Sequence, residues 1–206
     1  MQAPIELYGT STGNCVRAAI ALEEAGIDYV VRHIDLRRGQ HRESAYLALN
    51  PAGKVPTIVE NVAGKPLFVL SQSNAIILFA AEKVPDRLVP ASDVQERSLI
   101  YERFFYFVTD VIARSHAGFF LQAKGAEVPA SMLEEDARAT LSAAERFVSH
   151  APYMAGDKFS IADISAFTIA RAMKSHIPWD NLANLKSWYA RTEERPAVQR
   201  GLEAFG

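Results

Sequence analysis

Asn50-Pro51-Ala52-Gly53-Lys54-Val55-Pro56-Thr57-Ile58-Val59 reads as a turn that opens into an extended strand. Asn-Pro and Gly favour the turn, Pro56 withdraws a backbone donor, and Thr57-Ile58-Val59 is β-branched. Shortly afterwards, Leu70-Ser71-Gln72-Ser73-Asn74-Ala75-Ile76 sets a polar pair at the mouth of an apolar helix. A strand whose pairing stops at a proline leaves N–H and C=O groups beside Val55, where an extended peptide binds by strand addition. The helix start at Gln72-Ser73 suits a carboxylate. Together the two stretches describe a site for a small anionic peptide.

Outward from this core, strand and helix patterns alternate. Ile5–Tyr8 reads as a short strand ending at Gly9. The polar run Thr10-Ser11-Thr12-Gly13-Asn14 leads into a helix over Cys15–Ala25, stopped by Gly26. Tyr29–Ile34 alternates as a second strand, Arg37–Glu43 is a charged loop, and Ala45–Leu49 is a short helical turn. Thr57–Glu60 and Leu67–Leu70 are strands joined through Ala63-Gly64-Lys65-Pro66, and a helix runs from Ser73 to Lys83. The prolines of Val84-Pro85-Asp86-Arg87-Leu88-Val89-Pro90 mark a linker. Everything beyond is helical in pattern: Asp93–Phe120, Pro129–Ser149, Ser160–Ser175, Asn181–Thr192 and Pro196–Phe205. The expected organisation is an α/β domain over 1–83, a linker over 84–92 and an all-α domain over 93–206.

With 206 residues the chain has room for two small cores. Lys and Arg number 22 against 24 Asp and Glu, interspersed, for a formal net charge of -2. That balance argues against nucleic acid or an anionic membrane as the main partner. The single cysteine, Cys15, excludes an intramolecular disulfide and fits a reducing compartment. The N-terminus lacks the basic and apolar regions of a signal peptide. The apolar run Ala75–Ala81 falls far short of the roughly 20 residues of a membrane span. A cytoplasmic protein is the expectation.

Leu7-Tyr8 with the polar loop to Asn14-Cys15, Asn-Pro-x-Gly-Lys-Val-Pro, Gln-Ser-x-Ala-Ile and Ser160-Ile161-Ala162-Asp163-Ile164 together resemble the glutathione S-transferase superfamily along essentially the whole chain. The resemblance implies a thioredoxin-like N-terminal domain, an all-helical C-terminal domain forming the electrophile pocket, and a homodimer. It implies a cis peptide bond before Pro56. It further implies glutathione as co-substrate, with no other cofactor and no metal.

On this resemblance Val55 pairs through its backbone with the cysteinyl unit of glutathione. Gln72 and Ser73 hold the γ-glutamyl α-carboxylate, although Ser71 or Ser73 could serve simply as a helix cap. Lys54 and His41, with Gln40 beside them, stand where relatives hold the glycine carboxylate; a histidine in a charged loop is otherwise just solvated. The chemistry required is thiolate stabilisation. Lowering the thiol pKa by about 2 units takes roughly 2.7 kcal/mol, and a charge-assisted hydrogen bond contributes roughly 1.5–3 kcal/mol. The donor comes from Tyr8–Cys15. Tyrosine-type members place their phenol one residue after Tyr8, where this chain has Gly9. Thr12-Gly13-Asn14-Cys15-x-Arg17 resembles the Ser-Gly-Asn-Cys-x-Lys run of bacterial serine-type relatives, and also the Thr-x-Asn pair of Nu-class enzymes. Thr12 is therefore the first candidate, Ser11 the second, and Asn14 a supporting donor; the alternative is that these residues only cap the first helix. Cys15 is an alternative nucleophile, as in the beta and omega classes of the superfamily, but is expected instead to pack as a small buried hydrophobe.

Ser160 and Asp163 match the superfamily's capping box, which has a folding role. Ile100, Phe104, Phe107 and Val111 fit one apolar face of the long helix, and Tyr101, Phe105 and Ile112 another. Tyr106 and Phe107 are candidates to line the electrophile pocket, with core packing as the alternative. Arg103, Arg114 and His116 border the same region, and Trp179 and Trp188 read as packing residues. The leading function is conjugation of glutathione to a small hydrophobic electrophile. Glutathione-dependent disulfide reduction and non-catalytic glutathione binding are the alternatives.

Overall fold

Strand β1 (Ile5–Gly9) alternates buried Ile5, Leu7 and Gly9 with half-buried Glu6 and Tyr8, the two-residue period of a strand covered more on one face. In the computed structural model, which describes residues 4–206, β1 lies inside a four-stranded sheet. Its order is β2-β1-β3-β4, with β2 at Tyr29–His33, β3 at Thr57–Glu60 and β4 at Phe68–Ser71. β1 and β2 run parallel, whereas β1–β3 and β3–β4 are antiparallel, with Leu7 opposite Ile58 and Ile58 opposite Leu70. A parallel pair needs a crossover, which helix α1 (Gly13–Ala25) supplies. Helices α2 (Ser44–Leu47) and α3 (Ser73–Lys83) complete the thioredoxin-like domain that the resemblance implies.

The last helix, α9 (Pro196–Glu203), packs on α1. Arg195 clamps buried Glu24 with two parallel bonds, Nε to Oε1 at 2.6 Å and Nη2 to Oε2 at 2.8 Å, a bidentate geometry. Gly201 touches Ile20 so closely that an added Cβ would lie 2.6 Å from its Cγ1 and 2.8 Å from its Cα. The second contact is with backbone, so no rotamer change relieves it. Gly201→Ala is accordingly expected to destabilise the protein by about 1–3 kcal/mol, read as a lower denaturation midpoint. The chain thus divides into two compact units: residues up to Arg87 together with Arg195–Gly206, and Leu88–Glu194. The helical stretch 93–206 read from the sequence yields its last helix to the first unit.

The second unit is all helical: α4 (Val94–Phe105), α5 (Ala113–Ala123), α6 (Glu127–Ala143), α7 (Ile161–Ala172) and α8 (Ala183–Glu193). Between α4 and α5, Tyr106–Ile112 is π-helical. Ile100, Phe104, Phe107 and Val111 are buried together, as their spacing predicts. The second expected face divides: Ile112 is buried, Tyr101 is half-buried and Phe105 stands 50% exposed. The wider π turns rotate the residues that follow them, and a 3.6-residue period does not anticipate this. Tyr106 donates to the Thr140 carbonyl at 2.6 Å and Phe107 is fully buried. Arg103 lies 3.9 Å from the Phe147 ring centroid, and Arg114 pairs with Asp136 at 2.6 Å.

Helix α7 is buried from Ile161 to Ala170, and the expected capping box starts it. Asp163 Oδ2 accepts from the Ser160 amide at 3.0 Å and the Ser160 hydroxyl at 3.2 Å. Its Oδ1 accepts from the Met154 amide at 2.9 Å and from Trp188 Nε1 at 2.8 Å. One carboxylate therefore ties the start of α7 to the preceding loop and to α8. None of the helices described is long and apolar enough to cross a membrane.

Candidate functional site

The Val55–Pro56 peptide bond is cis, as the resemblance implies. The turn before it is held from below. Asn50 Oδ1 accepts from the Ala52 amide at 3.1 Å, while Asn50 Nδ2 and the Tyr46 hydroxyl both donate to the Lys54 carbonyl, at 2.6 and 2.7 Å. Both sheet ladders at β3 end at Thr57, opposite Tyr8 on one side and Ser71 on the other. Val55 thus lies just beyond the last paired residue, half-buried, where an extended peptide can continue the pairing. Gly53, at φ 59°, sits against the neighbouring loop: a Cβ there would be 3.0 Å from the His41 carbonyl oxygen. His41 and the exposed Lys54 are accordingly carried by two loop segments in contact. His41 Nδ1 is buried without a hydrogen-bond partner among the described residues, and the Gln40 side chain is engaged by the Asp35 amide at 2.7 Å.

Because Thr57 pairs with Ser71, the chain leaves the ladder on both strands at once, with Pro56 and Val55 alongside Gln72 and Ser73. Gln72 adopts φ 78°, ψ 114° and gives α3 no side-chain cap. A non-glycine residue in such a conformation costs about 1–3 kcal/mol and persists where the surroundings impose it. The first amides of α3 have no acceptor within the helix, so they suit an anion. Ser73 is only 7% exposed. Ser71 does not cap the helix: its hydroxyl joins Thr57 Oγ1 at 2.9 Å, which meets the Tyr46 hydroxyl at 3.0 Å. Asn74 Oδ1 is a second buried atom without a partner among the described residues.

At the start of α1, Thr12 is the N-cap, its Oγ1 accepting from the Cys15 amide at 3.4 Å. That bond uses an oxygen lone pair and leaves the hydroxyl proton to donate elsewhere. Thr12 and Asn14 are half-buried, and Ser11 is exposed. Cys15 is fully enclosed, and burial pushes its thiol pKa up against the lowering bonds from Thr12 and Thr10. Gly9 lies directly over it: a Cβ at position 9 would be 2.9 Å from Cys15 Sγ and 3.0 Å from the Phe205 ring. No tyrosine could occupy that position in this packing. Tyr8, on the other face of β1, donates to Glu6 at 2.9 Å, and burial foremost raises its pKa.

The structure brings Asn14 and Ser73 together through Arg17, which the sequence reading names at the end of its Thr12–Arg17 motif without giving it a role. Arg17, 2% exposed, donates from Nη1 to Asn14 Oδ1 at 2.8 Å and to Ser73 Oγ at 3.2 Å. The available signal was an arginine inside the otherwise apolar run Cys15-Val16-Arg17-Ala18-Ala19-Ile20. Tyr46 and Thr57 were passed over as well, because their hydroxyls act beneath the site. In sum, an open strand end, two helix N-termini and a buried cation occupy one unit, an arrangement fitted to an extended peptide with anionic ends.

Two family models match the chain: "Glutathione S-transferase, N-terminal domain" over residues 13–83 and "Glutathione S-transferase, C-terminal domain" over 109–204. Glutathione S-transferase 3 of Zea mays is 27% identical, the match covering 98% of this chain and 95% of that protein. The disulfide-bond oxidoreductase YfcG of Escherichia coli is 27% identical over 96% of this chain and 94% of its own length. Among solved structures, a Pseudomonas putida glutathione transferase with one glutathione disulfide bound per subunit superposes with TM-score 0.85. It is 26% identical, covering 98% of this chain and 92% of that one. A glutathione transferase homologue from Lodderomyces elongisporus with two glutathione molecules per subunit gives TM-score 0.83 at 27% identity, covering 98% of each chain.

Proposed function

Because the chain belongs to the glutathione S-transferase superfamily, we propose that it binds glutathione on this face, stabilises the thiolate and conjugates it to a small hydrophobic electrophile. The observation that carries the proposal is the shared exit from the ladder, which sets the open backbone at Val55 beside the α3 start at Gln72-Ser73. Val55 pairs with the cysteinyl backbone. Gln72, Ser73 and the first amides of α3 take the γ-glutamyl α-carboxylate, and Lys54 with His41 takes the glycine carboxylate. Thr12 donates its hydroxyl proton to the sulfur, Asn14 supports it, and exposed Ser11 is second in line. The thiolate attacks the electrophilic carbon, a leaving group departs, and proximity of two bound reactants provides the rest of the rate gain.

Glutathione-dependent disulfide reduction is the second reading. It is favoured by the Thr12/Asn14 pair and by the likeness to the Escherichia coli disulfide-bond oxidoreductase. A homodimer is also proposed: Leu67 and Phe68 in the first unit are exposed apolar side chains that a partner copy would cover.

Titration calorimetry with glutathione tests the binding directly, and saturable heat is expected. An absence of both heat and thermal shift would reject either enzymatic reading. Conjugation to an activated aryl halide, compared with reduction of a small hydroxyalkyl disulfide, then decides the reaction. Faster disulfide reduction selects the second reading, and binding without either rate indicates a glutathione-binding protein without catalysis.

A further inference from the structure

We infer that Arg17 is a positioning residue that sets the donor direction of both Asn14 and Ser73 toward the bound peptide. The inference rests on the glutathione reading above and assigns a task to a residue that does not itself touch the ligand.

The argument is one of hydrogen-bond polarity. A guanidinium only donates, whereas a serine hydroxyl and an asparagine amide can each donate or accept. Arg17 Nη1 reaches Ser73 Oγ at 3.2 Å, which obliges the hydroxyl to accept there. The Ser73 proton is thereby left for another acceptor, and a γ-glutamyl carboxylate supplies one. The same Nη1 reaches Asn14 at 2.8 Å through Oδ1. The amide is held with its oxygen inward, so Nδ2 is the atom presented away from Arg17, and a thiolate needs that donor. Without the cation either group could turn over and face an anion with its lone pairs. Arg17 lies in the first turns of α1, and Ser73 is the first residue of α3, so the bridge also spaces the two helix N-termini. Burial lowers the Arg17 pKa only to about 10, and the group stays protonated at neutral pH. Fixing donors before the ligand arrives avoids reorganising them during the reaction.

Arg17→Met and Arg17→Lys test this, with Ser73→Ala and the Arg17→Met/Ser73→Ala double variant. Folding is monitored by circular dichroism. The readouts are glutathione affinity by calorimetry and the fraction of bound glutathione present as thiolate, from its ultraviolet absorbance at fixed neutral pH. Arg17→Met is expected to weaken binding about tenfold and to lower the thiolate fraction. Arg17→Lys, which still donates, should restore much of both. Ser73→Ala should cost little more in the Arg17→Met background, because the hydroxyl there is already undirected.

Wild-type binding with unchanged affinity and thiolate fraction in Arg17→Met overturns the inference alone, as do fully additive losses. No binding by the wild type overturns the functional reading as well. Should Arg17→Met fail to fold, nuclear magnetic resonance on the wild type decides. The Asn14 side-chain amide signals should shift on adding glutathione. Fixed Asn14 signals alongside a shifting Val55 backbone amide would contradict the inference.

Discussion

Thr12→Ala is expected to lower kcat/KM for glutathione conjugation about 10- to 100-fold, with little change in affinity for S-methylglutathione. The Thr12 hydroxyl already accepts from the Cys15 amide, so its proton is available to the ligand sulfur. A hydrogen bond to a charged group contributes roughly 1.5–3 kcal/mol, and each 1.4 kcal/mol is about a factor of ten in rate. Removing the donor should raise the thiol pKa of bound glutathione, moving the acid limb of the pH–rate profile, where the rate rises as the thiol ionises, to higher pH. Thr12→Ser keeps the hydroxyl and should stay near wild type. Ser11→Ala, at an exposed position, should change the rate less than Thr12→Ala does. The same Thr12→Ala removes a helix cap and costs about 1 kcal/mol of stability, so rates are to be compared well below the melting temperature. Loss of rate confined to Cys15→Ala would overturn the assignment.

Asp163→Ala is expected to cost about 3–5 kcal/mol at neutral pH, the effect of removing one partner from a buried ionic hydrogen-bond cluster. The Met154 amide, the Ser160 amide and Trp188 Nε1 would lose their acceptor together. Both tryptophans of the chain, Trp179 and Trp188, lie in the second unit, so tryptophan fluorescence during denaturation reports on the unit affected. A pH signature accompanies this loss. Burial outweighs the four bonds that Asp163 accepts and raises its pKa from 3.8 to about 6. A carboxyl whose folded pKa lies above its unfolded value binds more protons when folded, so its contribution to stability falls as pH rises from about 4 to about 6. The gap between wild type and Asp163→Ala should therefore be wider near pH 4 than at pH 7. A gap that widens with rising pH would show that the bonds, rather than burial, control the group.

The parts of this molecule legible in its sequence are those governed by local rules. Alternation revealed the strand at Tyr29–Ile34 and β-branched residues the one after Pro56, Asn50–Pro56 announced a turn into that strand, and Ser160-x-x-Asp163 announced a capped helix. Each rule acts within a few residues, so the chain order alone carries it. What escaped depends on contacts distant along the chain. Arg17 meets Ser73 only because α1 and α3 pack together, and Tyr46 meets Lys54 only because α2 folds under the turn. Gly201 lies against Ile20, far from it along the chain, so the need for a glycine there is not visible in the residues around it. The π-helical turn at Tyr106–Ile112 left no mark on the apolar pattern, so the pattern did not show that Ile112, beyond it, would part from exposed Phe105 and be buried. The residues proposed to bind the peptide therefore lie in local motifs, whereas those that hold them in place come from distant parts of the chain.

A crystal structure of the protein with glutathione bound is the most direct test of the account. The prediction is a tripeptide whose cysteinyl backbone pairs with Val55, whose γ-glutamyl carboxylate meets Ser73 and the first amides of α3, and whose sulfur lies nearest Thr12 Oγ1. Glutathione bound elsewhere, or with its sulfur nearest Cys15, would contradict it.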